Sequence, residues 1–334
     1  MRRREDEKTS SVAFSSSVLT LLRLNVPPPP EIMSSSPAAL ILGPMQCGKS
    51  SLAFAVADVL ALAAYQRHTT MIPPSASTAT NTRVSSISTE AGSVTSDASE
   101  CRGGDVWFIC CRERMEKSLP LRVNFIDPPS NLAASSTSSS SPESNCLDWD
   151  APHIDHIKLK YFTSTADLKW WTARLHQLVY SSPPSNTTTR DPALLPGAII
   201  VDDLDMMLDA ECRSNLPSPV SSEVVQRSMM RLMALLRNTV EFIASQCGRP
   251  CPLVVCFATS SRWYKDLLTI FQREFYQNLY EFRPVDLQHP SKRSRLNVAS
   301  SSRSSVVLRN ESSGIETLFT WKDRPECLEA TKTF

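Results

Sequence analysis

Eight consecutive residues, Gly43-Pro44-Met45-Gln46-Cys47-Gly48-Lys49-Ser50, fill the pattern G-x-x-x-x-G-K-S/T without a substitution. Gly43 lets the chain leave a strand through a tight turn, and Gly48 lets the backbone approach an anion where a Cβ would collide. The amides between them then point toward phosphate oxygens. Lys49 reaches β and γ phosphates, Ser50 offers its hydroxyl to Mg²⁺, and Ser51 adds a contact at the α-phosphate. A helix opening near Ser50 directs its positive dipole end at the same oxygens. The plain competing reading is a turn carrying an exposed lysine. Only 8 of 334 residues are Gly, so two at this spacing before Lys-Ser argue against coincidence.

A second anchor is Gly197-Ala198-Ile199-Ile200-Val201-Asp202-Asp203. An apolar strand ending in Asp202 is what a Mg²⁺-nucleotide site needs beside the first strand, because the carboxylate can hold a water of the metal's shell. Thr259-Ser260-Ser261, after the apolar run Leu253 to Ala258, could sense the γ-phosphate.

These residues need elements to hold them. Ala38 to Gly43 reads as a buried strand. The run Leu52 to Ala64, apolar except for Asp58, reads as a helix buried between neighbours and too short to span a membrane. Asp105 to Cys111 reads as a buried strand, Leu119 to Ile126 as a short helix or strand, and Ile157 to Phe162 as a half-buried strand of alternating apolar and basic residues. Ala166 to Tyr180 follows the capping cluster Thr163-Ser164-Thr165 and carries Leu168, Trp171, Leu175 and Leu178 at helical spacing. Ser222 to Cys247 is the clearest long helix, with Ser222 as its cap, a stripe of Val225, Met229, Leu232, Leu236, Val240 and Ile243, and a stop at Gly248 and Pro250. Arg262 to Gln277 reads as a helix, Leu279 to Phe282 as a strand, and Ile315 to Trp321 as the closing strand. The alternation predicts an α/β fold, a mainly parallel sheet covered by helices on both faces.

Composition interrupts this frame. Ser-, Thr- and Pro-rich segments at about 68–104, 127–152, 212–221 and 287–313 lack the periodicity that buries a core and read as disordered insertions into a core spanning 37–326. Residues 1–36 read as a disordered extension and 327–334 as a tail. Lys plus Arg is 35 against 34 for Asp plus Glu, so no global field draws the chain onto nucleic acid or lipid. A DNA contact must be local: Lys169 and Arg174 beside Trp170 and Trp171 are one candidate, Arg227, Arg231 and Asn238 another. In each case a solvated helix face is the plainer reading. The 10 Cys form neither a disulfide framework nor a zinc array, which points to a reducing compartment. Lys292, Arg293 and Arg295 read as a nuclear import signal or a short solvated basic run.

The stretches AALILGPMQCGKSSLAFA, DVWFICCRERMEKSLPL, IKLKYFTSTADLKWW, GAIIVDDLDMML and PLVVCFATSS resemble the RecA-type recombinase ATPases. More narrowly, they resemble the small recombinase paralogues that pair with a SWIM-type zinc-finger protein in Shu-type complexes. The resemblance implies a P-loop NTPase with a RecA-like core. It also implies a nuclear ATPase with ATP and Mg²⁺ as cofactors, binding single-stranded DNA, the SWIM-type partner and a recombinase or other recombinase paralogues in homologous recombination. Lys49 and Ser50 match the phosphate and Mg²⁺ positions, and Asp202 the Walker B carboxylate. The family's water-activating Glu follows the strand matched by Val106 to Cys111, where Arg112 stands; Glu113 and Asp203 are the carboxylates left to orient water. Some forty residues precede the phosphate loop, too few for the DNA-binding domain of full-length recombinases, which implies a bare ATPase core. Two rivals stand beside this reading: a nucleotide-binding scaffold that stabilises its partner, and a P-loop small-molecule kinase.

Overall fold

The computed structural model describes residues 19–24, 36–70, 104–117, 120, 122–126, 151–180, 195–214, 220–275, 278–284, 305–321 and 327–333. Four parallel strands form its centre: β1 (Ala38–Gly43), β6 (Leu253–Ala258), β5 (Ala198–Val201) and β2 (Val106–Cys110) lie side by side in that order. Parallel β7 (Leu279–Pro284) flanks β1, and parallel β4 (Ile157–Tyr161) flanks β2 at the sheet's end. Beyond β7 the sheet turns antiparallel through β8 (Ser305–Asn310), β9 (Glu316–Trp321) and β10 (Cys327–Thr333), and ends on β3 (Arg122–Ile126), parallel to β10. The fold is α/β with a mostly parallel sheet.

Why the central strands read as unbroken apolar runs is visible in β1. Ala39 and Ile41 point into one core and Ala38, Leu40 and Leu42 into the other, all buried. A strand covered on both faces has no solvent side for polar residues to occupy. Helix α1 (Lys49–Thr70) fills the first face. The second is covered by α3 (Thr165–Tyr180), α4 (Leu204–Ser214), α5 (Ser222–Cys247) and α6 (Tyr264–Glu274); the short α2 (Arg112–Lys117) follows β2. The polar exception on α1, Asp58, takes a 2.8 Å hydrogen bond with Nε2 of His153, from the 3₁₀ turn Pro152–His156.

The predicted stripe of α5 is buried throughout, with Met233, Thr239 and Ala244 added to it. Its cap is Ser221 rather than Ser222: the Ser221 hydroxyl accepts from the Val224 amide, and Gly248 ends the helix at φ 63. On α3, Trp171 packs against Trp107 and Phe162, each at 5.2 Å between ring centroids. Trp170 is instead 61% exposed, with the Arg174 guanidinium 4.1 Å from its ring centre. Lys169, expected on a solvated face, is held between α4 and α5 by Glu211 Oε1 at 3.0 Å and the Ser228 hydroxyl at 2.7 Å. On α5, Arg227 pairs with Glu223 one turn back, as a solvated face would.

Several segment boundaries differ from expectation. Within the 1–36 extension, residues 19–24 place Leu19, Leu22 and Leu24 in the core on the α1 side, and Ser36 is buried. The Ser36 hydroxyl donates to the Val240 carbonyl and accepts from the Cys251 amide, both at 3.3 Å. The insertion expected at 287–313 contains β8 and the turn at 311–313, and the expected tail at 327–334 is the strand β10. These strands need no long apolar run, because each is stabilised by the ladders on its two sides. Helices α1 and α4 extend to Thr70 and Ser214, into the insertions expected from 68 and 212, and the 3₁₀ turn begins inside 127–152. Apart from Gly104, Ala151, Val220 and Ser221, the remainder of those insertions and the basic run at 291–295 lie outside the described residues.

Candidate functional site

Because β1, β6, β5 and β2 are parallel, their carboxyl ends share one edge of the sheet, where loops can meet over a ligand. Gly43 closes β1, Thr259 follows β6, Asp202 follows β5, and Cys111 leads from β2 into α2. The acidic strand was expected beside the first strand. It stands one place away, with β6 between them. The Thr259 amide donates to the Gly43 carbonyl at 2.9 Å, tying the Thr259-Ser260-Ser261 turn to the glycine loop.

Within the loop, Gln46 takes φ 60 and Gly48 φ 94, so the chain passes through left-handed backbone before α1 begins. Met45 and Gln46 are exposed, Pro44 is half-buried, and Cys47, Gly48, Lys49 and Ser51 are buried. Gly43 has a steric reason to be glycine. A Cβ there would stand 2.6 Å from Cys47 Sγ and 2.7 Å from Phe282 Cβ, closer than real Cβ contacts come. Gly43→Ala is therefore expected to cost about 1–3 kcal/mol of stability through overpacking, read from denaturant unfolding. An unchanged midpoint would show that the loop has slack here.

Lys49 is 2% exposed and its Nζ donates to the Pro44 carbonyl at 2.8 Å. Across from it stands an acidic cluster. Asp202, Asp203 and Asp205 are each buried. Asp205 Oδ1 accepts from the Ala258 amide at 3.1 Å. The Asp203 carboxylate is ion-paired to Arg114 of α2, whose Nη2 also donates to the Ser50 hydroxyl at 3.1 Å. Asp203 has φ 57, left-handed backbone that a non-glycine residue adopts at a cost, and its carbonyl accepts from the Met206 and Met207 amides at the start of α4. Among the described residues, the buried Asp202 Oδ1 has no hydrogen-bond partner.

Burial, with the Asp202 charge beside it, pushes the Asp203 carboxyl up to about 7, while Arg114 pulls the other way. Burial raises Asp205 too, opposed by Lys49. Burial disfavours the Arg114 charge, but the three aspartates outweigh it and its value is raised. Both partners thus shift upward, and the simplest account is a cluster that keeps the guanidinium charged and retains a proton among its carboxyls. The sign for stability follows. The native Asp203 value lies above the ordinary 3.8, so its contribution is complete below about 4 and is lost as pH rises through about 7. Asp203→Asn should flatten the fall in melting temperature between about pH 4 and pH 7 relative to the wild type. Parallel profiles in the two proteins would contradict this.

The thiols near the cluster are not reactive groups. Burial lifts Cys110 and Cys111 to about 12, and raises Cys47 and Cys256 as well. Among the described residues no group of three His, Cys, Asp or Glu side chains is arranged to hold a metal by itself. A divalent ion here would need ligand oxygens from a nucleotide, the usual condition for Mg²⁺. The unpartnered Asp202 Oδ1 and the Ser50 hydroxyl are the groups that fit such an ion.

Of the residues singled out by sequence, Gly43, Gly48, Lys49, Ser50, Ser51, Asp202 and Asp203 meet at this edge. Glu113 is exposed on α2, and its neighbour Arg114 is the residue of that helix that reaches the cluster. Sequence reasoning missed Arg114 and Asp205. Asp205 had a signal in Asp202-Asp203-Leu204-Asp205; Arg114 had none beyond its place one turn after a strand.

No protein-family model matches the chain, and no curated protein matches it. Among the described residues no helix is long and apolar enough to cross a membrane.

Proposed function

We propose that this protein is a nucleotide-binding ATPase with a RecA-like P-loop core, acting as an accessory recombinase paralogue in homologous recombination in the nucleus. One observation carries the nucleotide reading. The complete glycine-loop motif lies at the carboxyl edge of a parallel sheet, with Lys49 buried beneath the loop, Ser50 joined through Arg114 to Asp203, and at the end of β5 a buried Asp202 whose Oδ1 has no hydrogen-bond partner among the described residues. In this reading the loop amides and Lys49 hold the ATP phosphates, Ser51 adds a contact at the α-phosphate, and Ser50 and Asp202 hold Mg²⁺. The ion would supply charge neutralisation between the β and γ phosphates. Asp203 and Glu113 remain the candidates to orient water, with Glu113 the weaker because it is exposed. The recombination role, the SWIM-type zinc-finger partner, the recombinase partners and single-stranded DNA rest on the resemblance of the five stretches quoted above. Exposed Trp170 stacked with Arg174 is a surface of the right chemistry for a nucleic-acid base.

A second reading is favoured by the Arg114–Asp203 pair. With the better-placed carboxylate held by a guanidinium and Glu113 exposed, the chain could bind ATP without turning it over and act as a scaffold for its partner. The test is ATP turnover by the chain together with a SWIM-type zinc-finger protein, with and without single-stranded DNA. DNA-stimulated hydrolysis that Lys49→Ala abolishes supports the ATPase. Tight ATP binding with no turnover in any mixture leaves the scaffold.

A further inference from the structure

Arg114 is the residue of the site that the motif does not account for. Its guanidinium joins two groups the proposed nucleotide site needs: one arm pairs with the buried Asp203 carboxylate, and the other donates to the Ser50 hydroxyl at 3.1 Å. The Arg114 side chain is 23% exposed and that of Asp203 only 2%, so the pair is anchored on the protein side and open on the other. Ser50 is the residue that would give its oxygen to Mg²⁺. A hydroxyl oxygen already accepting from a guanidinium is a poorer metal ligand, and a fixed positive charge beside it repels a divalent ion.

Resting on the nucleotide reading above, we propose that Arg114 is a protein-borne cation of the phosphate site, which lets the chain bind metal-free nucleoside triphosphate and makes Mg²⁺ nearly dispensable for affinity. The chemistry suits arginine. Its planar fork can keep Asp203 on one side and offer N–H donors to phosphate oxygens on the other, which a point charge on a flexible stem does less well. Asp203 holds the fork in place, and its carbonyl accepts from the Met206 and Met207 amides at the start of α4. Asp202 Oδ1, which has no hydrogen-bond partner among the described residues, is an oxygen that an ion could use once nucleotide oxygens are present, without Ser50 being essential to it.

The experiment is equilibrium titration of the full chain with the fluorescent N-methylanthraniloyl derivative of ATP, in excess Mg²⁺ and in excess EDTA. It compares wild type, Arg114→Gln and Arg114→Lys, with melting curves to establish that each is folded. Wild-type affinity is expected to differ by less than about threefold between the two conditions. Arg114→Gln should lose on the order of tenfold or more in EDTA and recover most of it in Mg²⁺, because a free Ser50 hydroxyl can then serve the ion. Arg114→Lys should fall between the two. A wild-type chain that binds more than tenfold tighter with Mg²⁺ overturns the proposal without any variant. An Arg114→Gln chain with the wild-type Mg²⁺ dependence overturns it as well, and both results leave nucleotide binding intact. Absence of nucleotide binding by the wild type in either condition overturns the nucleotide reading itself, and this proposal with it.

Discussion

Lys49→Ala is expected to weaken ATP binding by on the order of 100-fold, the loss of about 3 kcal/mol that accompanies removal of a buried cation and its charge-assisted hydrogen bonds to phosphate. The side chain is already in place, 2% exposed and directed onto its own loop through the Pro44 carbonyl, so little ordering is needed when ligand arrives. The substitution also removes a positive charge beside the aspartates, so its effect on folding has to be separated from its effect on binding. Isothermal titration of a variant with a normal melting curve does this. Retained affinity within about threefold would remove the central support for a nucleotide site and return the motif to a turn with a buried lysine.

Leu22→Ala is expected to destabilise the chain by about 3 kcal/mol, a fall in melting temperature on the order of 10 °C. Leu22 is fully buried, packed with Leu19 and Leu24 into the core that α1 shares with the sheet. The short turn that carries it is closed by the Leu24 amide donating to the Leu19 carbonyl at 2.8 Å. Deletion of the methyl groups leaves a cavity that a packed sheet face cannot collapse to fill. A change of under about 0.5 kcal/mol in chemical denaturation would mean that residues 19–24 are dispensable to the core, as an extension would be.

The residues of the phosphate loop were legible because their function restricts backbone and side chain at fixed local spacing. Glycine is required where a Cβ would strike Cys47 and Phe282 or where φ is positive, and Lys-Ser must follow directly. The central strands and α5 were legible for an equally local reason: a segment buried on both faces is apolar throughout, and one buried on a single face repeats at helical spacing. Other features depend on partners distant in sequence. Residues 19–24 and 327–333 carry weak patterns of their own and are ordered by the core and by neighbouring strands. Lys169 reads as a solvated charge until α4 brings Glu211 and α5 brings Ser228 to it.

The sequence by itself determined the chemistry of the glycine loop, the acidic end of β5 and the α/β class, since each is written in residues a few positions apart. The tertiary structure alone decided that β6 separates the two motif strands, and that Arg114 rather than Glu113 faces the loop. It alone brought Arg114 to Ser50, 64 positions away, and to Asp203, 89 positions away. Strand order and the turn of α2 are set by packing over the whole sheet, and a charge pair formed across such distances leaves no periodic trace along the chain.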